Sequence, residues 1–187
     1  MTTTKQRLWS VEEYHRMADT GILGPEERLE LIEGQIIPMA AKNPPHSAIT
    51  KQTADYLREI LAGVADIRIQ EPVHLSSRSE PEPDIAIVRI DPRNYIDHHP
   101  LPVQVFLLIE VADRTLKFDC KTKAALYAKA GIADYWVIDV KEQQVFVFRE
   151  PGTKTYQQET VWRKNAVLRL SAFPDILVVI ENFFVKP

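Results

Sequence analysis

Residues 103–111, Val-Gln-Val-Phe-Leu-Leu-Ile-Glu-Val, constrain the fold more than any other stretch of the chain. They are nearly all apolar on both alternating faces, so a strand here must be covered above and below. That is the position of a central strand in a layered α/β sheet. Before it, residues 84–89 read as a second short strand, rich in Ile and Val. After it, residues 115–130 carry helical spacing that stops at Gly131.

The rest of the chain fits the same class. Ser10, with Glu13 three residues on, forms a capping-box pattern that predicts a helix over 10–19, ended by Gly21 and Gly24. Residues 28–39 read as a hairpin turning at Glu33-Gly34. A second helix is expected over 46–62, after the turn 43–47, and residues 67–75 alternate as a half-buried strand. Residues 135–140 and 144–148 read as further strands, and 153–185 as short strands with a hydrophobic tail. The expected fold is therefore α/β, a mixed β-sheet core flanked by helices, with an N-terminal helix and hairpin. No linker divides residues 1–187, and 187 residues suit one domain with a substantial core.

Composition excludes several functions. A net charge of -3 argues against strong non-specific nucleic-acid binding, though a local basic groove is compatible with it. No run approaches the roughly 20 apolar residues of a membrane helix, and residues 1–9 are polar. The lone Cys120 cannot cross-link its own chain and sits among apolar helix positions. A cytoplasmic protein is expected.

Three residues could carry chemistry. Asp84 opens an apolar strand, where it is either a loop cap or a functional carboxylate. Glu110 closes the central strand, on the face expected to carry Phe106 and Leu108. A carboxylate there is costly unless it is paired or metal-bound. On the helix that follows, about 100° per residue places Leu116, Cys120, Ala124 and Tyr127 on one arc. Lys123 falls inside that arc, Asp119 at its edge, and Lys117, Lys121 and Lys129 point away. Lys123 either snorkels past the apolar surface or meets a buried partner. Two carboxylates can bind Mg²⁺ through oxygen and leave water positions open, and a nearby ammonium can orient water and offset charge on a phosphate.

With these residues the sequence resembles the PD-(D/E)XK superfamily of restriction-endonuclease-like folds, and within it the Uma-two family of restriction endonucleases. The resemblance rests on Leu29-Glu30-Leu31-Ile32-Glu33-Gly34, His46, Pro83-Asp84 and Leu108-Ile109-Glu110-Val111. It continues through Asp119, Lys123 and Tyr127 to the segment from Gly131 to Asp139, and covers most of the chain, from about Trp9 to Phe148. It implies a nuclease core in which Asp84 and Glu110 bind Mg²⁺ or Mn²⁺, and it sets Glu30 as an additional N-terminal acidic residue of the site. The superfamily pattern places lysine two residues after the acid, where this chain has Ala112. Lys123 is the substitute on the next helix, with Lys121 the competitor on the wrong side.

The expected activity is metal-dependent hydrolysis of phosphodiester bonds, with DNA as the substrate. The alternative is a catalytically inactive nuclease-like domain that binds nucleic acid or protein. A third reading is a structural domain with a buried Lys–Glu pair. His46 and Tyr127 could approach the site, Trp136 reads as core, and His98-His99 lacks a third ligand at zinc-like spacing. Phe183 and Phe184, read as exposed, could support a homodimer.

Overall fold

The computed structural model describes residues 6–185. Helix α1 (Val11–Asp19) begins as its capping box requires: the Ser10 hydroxyl accepts from the Glu13 N–H at 3.1 Å, and Glu13 accepts from the Ser10 N–H at 2.9 Å. Strands β1 (Leu29–Ile32) and β2 (Gln35–Pro38) form the expected hairpin. Its turn residues Glu33 and Gly34 both have positive φ, and a Cβ on Gly34 would lie 2.8 Å from the Leu8 Cβ. Helix α2 (Pro44–Ile60) starts at Asn43, whose side chain accepts from the His46 N–H.

Six strands build the main sheet: β3 (Asp66–Ile69), β4 (Ile85–Val88), β5 (Val105–Ala112), β6 (Asp134–Asp139), β7 (Gln144–Pro151) and β8 (Tyr156–Arg163). They lie in that spatial order, and every neighbouring pair is antiparallel except β5–β6. The parallel β5–β6 pair requires a crossover, supplied by α3 (Leu116–Phe118), a π-helical turn (Asp119–Lys123) and α4 (Ala124–Lys129), which run on as one helix. A short pair, β9 (Val167–Arg169) with β10 (Leu177–Val179), and a 3₁₀ turn (Ile180–Phe183) complete the fold.

Alternation sorts the sheet into two apolar layers. Ile85, Ile87, Ile109, Trp136 and Ile138 pack with Leu57 of α2 and with Leu61, which caps that helix. Ala86, Leu108, Ala112, Tyr135 and Val137 pack with Ala124 and Tyr127 of α4. Both faces of β5 are thus buried, as its composition demands.

Four features depart from the sequence reading. The strand expected over 67–75 ends at Ile69, because Gln70 takes a left-handed conformation (φ 54°) that turns the chain out of the ladder. The helix expected over 115–130 is not uniformly α, since its second turn is π-helical. The β4–β5 register shifts at Ile87/Val88, so Phe106 does not share the face of Leu108; it packs edge-on to Phe173 in the other layer, with ring centroids 4.9 Å apart. Phe183 and Phe184 are buried, not exposed: Phe183 lies 6.1 Å from Tyr56 and 6.4 Å from Trp136, centroid to centroid. They anchor the C-terminal tail to the core and cannot be the dimer surface expected of them.

Phe183→Ala should therefore cost about 3–5 kcal/mol of stability. Ile96→Ala, at an exposed site, should stay within about 0.5 kcal/mol. Urea denaturation of both variants checks this, and equal effects would contradict a core role for the tail.

Candidate active site

The β4–β5 register pairs Ile85 with Ile109. Continuing it by one residue sets Asp84 level with Glu110, and alternation points both carboxylates toward the π-helical crossover. Asp84 does not cap its own loop. Its Oδ2 accepts from the Val111 N–H at 2.9 Å and contacts His46 Nε2 at 3.0 Å, and its Oδ1 accepts from Gln70 Nε2 at 3.0 Å. Burial opposes the charge on Asp84, but the contacts with His46, Val111 and Gln70 hold its pKa below the ordinary range.

Glu110 Oε1 accepts from Lys123 Nζ at 3.0 Å and from the Tyr127 hydroxyl at 2.8 Å. Lys123 also lies 3.1 Å from Glu30 Oε2, to which the Glu82 N–H donates at 3.4 Å. Lys123 is only 4% exposed, so its ammonium does not snorkel to water. Asp119, one turn before Lys123, is buried too and accepts from the Thr115 hydroxyl at 2.5 Å. Four buried carboxylates thus share the site with one buried ammonium, which pairs directly with Glu30 and Glu110 and is the only buried cation among the described residues.

This imbalance shows in the acidities. Burial pushes Glu110 up to about 8 despite Lys123, and the Asp84, Asp119 and Glu30 carboxylates add to the rise. Burial raises Asp119 to about 6, against the Thr115 hydrogen bond and Lys123. Burial also works against the charge of Lys123, yet Glu110 and Glu30 hold that ammonium above the usual lysine range. The group lines a cavity of about 430 Å³, whose rim carries Arg28, Lys42 and Arg114.

The structure brings together Asp84, Glu110, Lys123 and Glu30. It adds His46 and Tyr127, which contact the two central carboxylates directly. Lys121 is exposed on the other side of the helix. His98 and His99 line a separate cavity with His15, His74 and Glu80. Burial raises the Cys120 thiol to about 12, so it is protonated at neutral pH and is no nucleophile.

Sequence reasoning missed Gln70. Its left-handed backbone breaks the alternation by which a strand residue is assigned a face, and its side chain joins Lys42 to Asp84. It also left Asp119 outside the proposed set, although a carboxylate four residues before an inward lysine was a visible signal.

The donor set fits a divalent cation bound through few protein ligands. Glu110 Oε2 makes no hydrogen bond, and the cluster holds more carboxylates than cations. Among the described residues, no group of three or more His, Cys, Asp or Glu side chains is arranged to hold a metal ion. Two carboxylates with water and phosphate oxygens are the arrangement Mg²⁺ favours.

The family model Uma2, described as "putative restriction endonuclease", matches residues 11–181. Among solved structures, the chain is similar to a "putative nuclease belonging to DUF820" from Anabaena variabilis, with a TM-score of 0.72 and 21% identity over 94% of this chain and 97% of that one. At that identity the likeness shows the fold, a restriction-endonuclease-like mixed sheet flanked by helices. No curated protein matches. Among the described residues no helix is long and apolar enough to cross a membrane.

The raised pKa of Glu110 makes stability depend on pH. Folding takes up a proton between the ordinary carboxyl value of 4.5 and about 8, so this contribution is full below pH 4.5 and is lost as pH rises to 8. Asp119 acts with the same sign between 3.8 and about 6. In metal-free buffer the urea midpoint should fall from pH 5 to pH 8, and Glu110→Gln should flatten that slope. Lys123→Met, which strands the carboxylates, should cost about 3–5 kcal/mol at pH 8 and less at pH 5.

Proposed function

The chain belongs to the Uma2 family, and on that premise we propose that it is a metal-dependent nuclease that hydrolyses phosphodiester bonds of DNA. The observation that carries this reading is the placement of Lys123 Nζ, 3.0 Å from Glu110 and 3.1 Å from Glu30, in a cavity with an acidic floor and a cationic rim. Asp84 and Glu110 would hold Mg²⁺ or Mn²⁺, with Glu30 completing the acidic set. The bound ion would supply Lewis acidity and a water of lowered pKa.

The chain's own residues supply the rest. Arg28, Lys42 and Arg114 attract the phosphate backbone to the rim, although the protein as a whole is acidic. Lys123 places positive charge where negative charge develops on the phosphoryl oxygens, at a buried position where it is little screened. His46, Gln70 and the Val111 N–H fix the orientation of the Asp84 carboxylate, as partners of a metal-ligating carboxylate do. Tyr127 does the same for Glu110. Hydrolysis forms a bond from the water oxygen to phosphorus and breaks the bond to the leaving oxygen, which takes up a proton.

A second reading, a nuclease-like domain that binds nucleic acid or protein without cutting it, is favoured by Ala112, which stands where the superfamily places lysine. The two readings part in one experiment. Isothermal titration of Mn²⁺ should show saturable binding by the wild type and none by a folded Asp84→Ala/Glu110→Ala variant. Binding must displace the proton held by Glu110, so affinity should rise between pH 6 and pH 8. Oligonucleotide cleavage should be metal-dependent, and Lys123→Ala should lower kcat on the order of 10²–10³-fold. Oligonucleotide binding without product, in Mg²⁺ and in Mn²⁺, would move the assignment to the second reading.

A further inference from the structure

The two edges of the six-stranded sheet are finished differently. β3 has four residues, and Arg58 of α2 donates to the Ile67 carbonyl at 3.4 Å. β8 has eight residues, and only its first, Tyr156, is buried. It contains no Pro, Gly or Lys, and its register with β7 runs without a shift from Gln144↔Arg163 to Arg149↔Gln158. Val161 is 50% and Trp162 39% exposed. An edge of this kind presents a row of free N–H and C=O groups and lacks the Pro, the bulge and the short length that often prevent strand addition.

We propose that the β8 edge is a homodimer interface, in which β8 of one copy pairs antiparallel with β8 of a second about a two-fold axis at Val161. The order of charges along the strand points to a second copy. Antiparallel pairing about a two-fold axis opposes residues of like parity, because hydrogen-bonded and non-hydrogen-bonded positions alternate. With Val161 on the axis, Glu159 faces Arg163 and Thr160 faces Trp162. Symmetry repeats the Glu159–Arg163 contact on the other side of the axis. With Glu159 or Arg163 on the axis, like charges meet, which destabilises a cross-strand pair. With Thr160 or Trp162 on the axis, Glu159 has no cationic residue opposite it. Val161 and Glu159 lie opposite Phe146 and Phe148 of β7, on the α4 side of the sheet. Antiparallel pairing keeps that side continuous across the interface, so the cavities of both copies open on the same face. None of this depends on the nuclease reading.

The test is sedimentation velocity and light scattering on the full chain over a concentration series. The wild type should dimerise. Glu159→Arg and Arg163→Glu, made singly, oppose like charges and should each weaken the dimer by about tenfold. The double variant Glu159→Arg/Arg163→Glu should recover the wild-type dissociation constant to within about threefold. Unchanged circular dichroism and urea midpoints show that the variants fold. A wild type that stays monomeric throughout overturns the proposal. So does a dimer that the single charge reversals leave unchanged, or one that the double variant fails to restore.

Discussion

The site depends on one buried ammonium. Lys123 is the only buried cation among the described residues, and it reaches carboxylates from two separate parts of the chain. Glu30 comes from the N-terminal hairpin and Glu110 from the central strand. Removing either charge type leaves the other desolvated and unmatched, which costs more than the pair contributes when intact. The hairpin is not hydrogen-bonded into the main sheet as one of its strands. This ion pair, with the isolated Leu31↔Glu80 bridge, ties it to the core.

That arrangement follows from the parallel step between β5 and β6. A parallel pair cannot be closed by a tight turn, so a helix must cross over the sheet. The crossover begins right after the end of the strand that carries Glu110, and its first turns pass above the two carboxylates. Both apolar layers are needed. The layer beneath, with α2 and the C-terminal tail, fixes the strands in register. The layer above, with Ala124 and Tyr127, presses the helix down so that Lys123 has nowhere to go but the acids. Tyr127 belongs to this upper layer and to the site, with its ring among the apolar side chains and its hydroxyl on Glu110.

Much of this was legible from residue order. The apolar run of β5 required a covered strand, the helical arc turned Lys123 inward, and Glu110 at the edge of an apolar run required a partner. What was not legible depended on local departures from regular geometry. The left-handed Gln70 ends its strand and sends its side chain to Asp84, which no period-two pattern can show. The bulge beside Val88 separates Phe106 from the face that simple alternation gives it. Phe183 and Phe184 sit close to the chain end, where apolar residues are as easily read as a surface patch as a core anchor. Tertiary packing decides between those, and the tail's own sequence does not.

The π-helical turn at Asp119–Lys123 has a consequence of its own. Such a turn is equivalent to one extra residue inserted into an α-helix, and these insertions gather at functional sites. Deleting one residue there would swing one half of the crossover by about 100° against the other. With Tyr127 holding its place in the apolar layer, the preceding Asp119 and Thr115 would leave the acids. With Asp119 held instead, Lys123 and Tyr127 would leave. The electrostatic balance of the site therefore rests on a single codon's worth of length. In this chain, one deletion in that turn would dismantle the site with no change to the identity of any other ionisable residue.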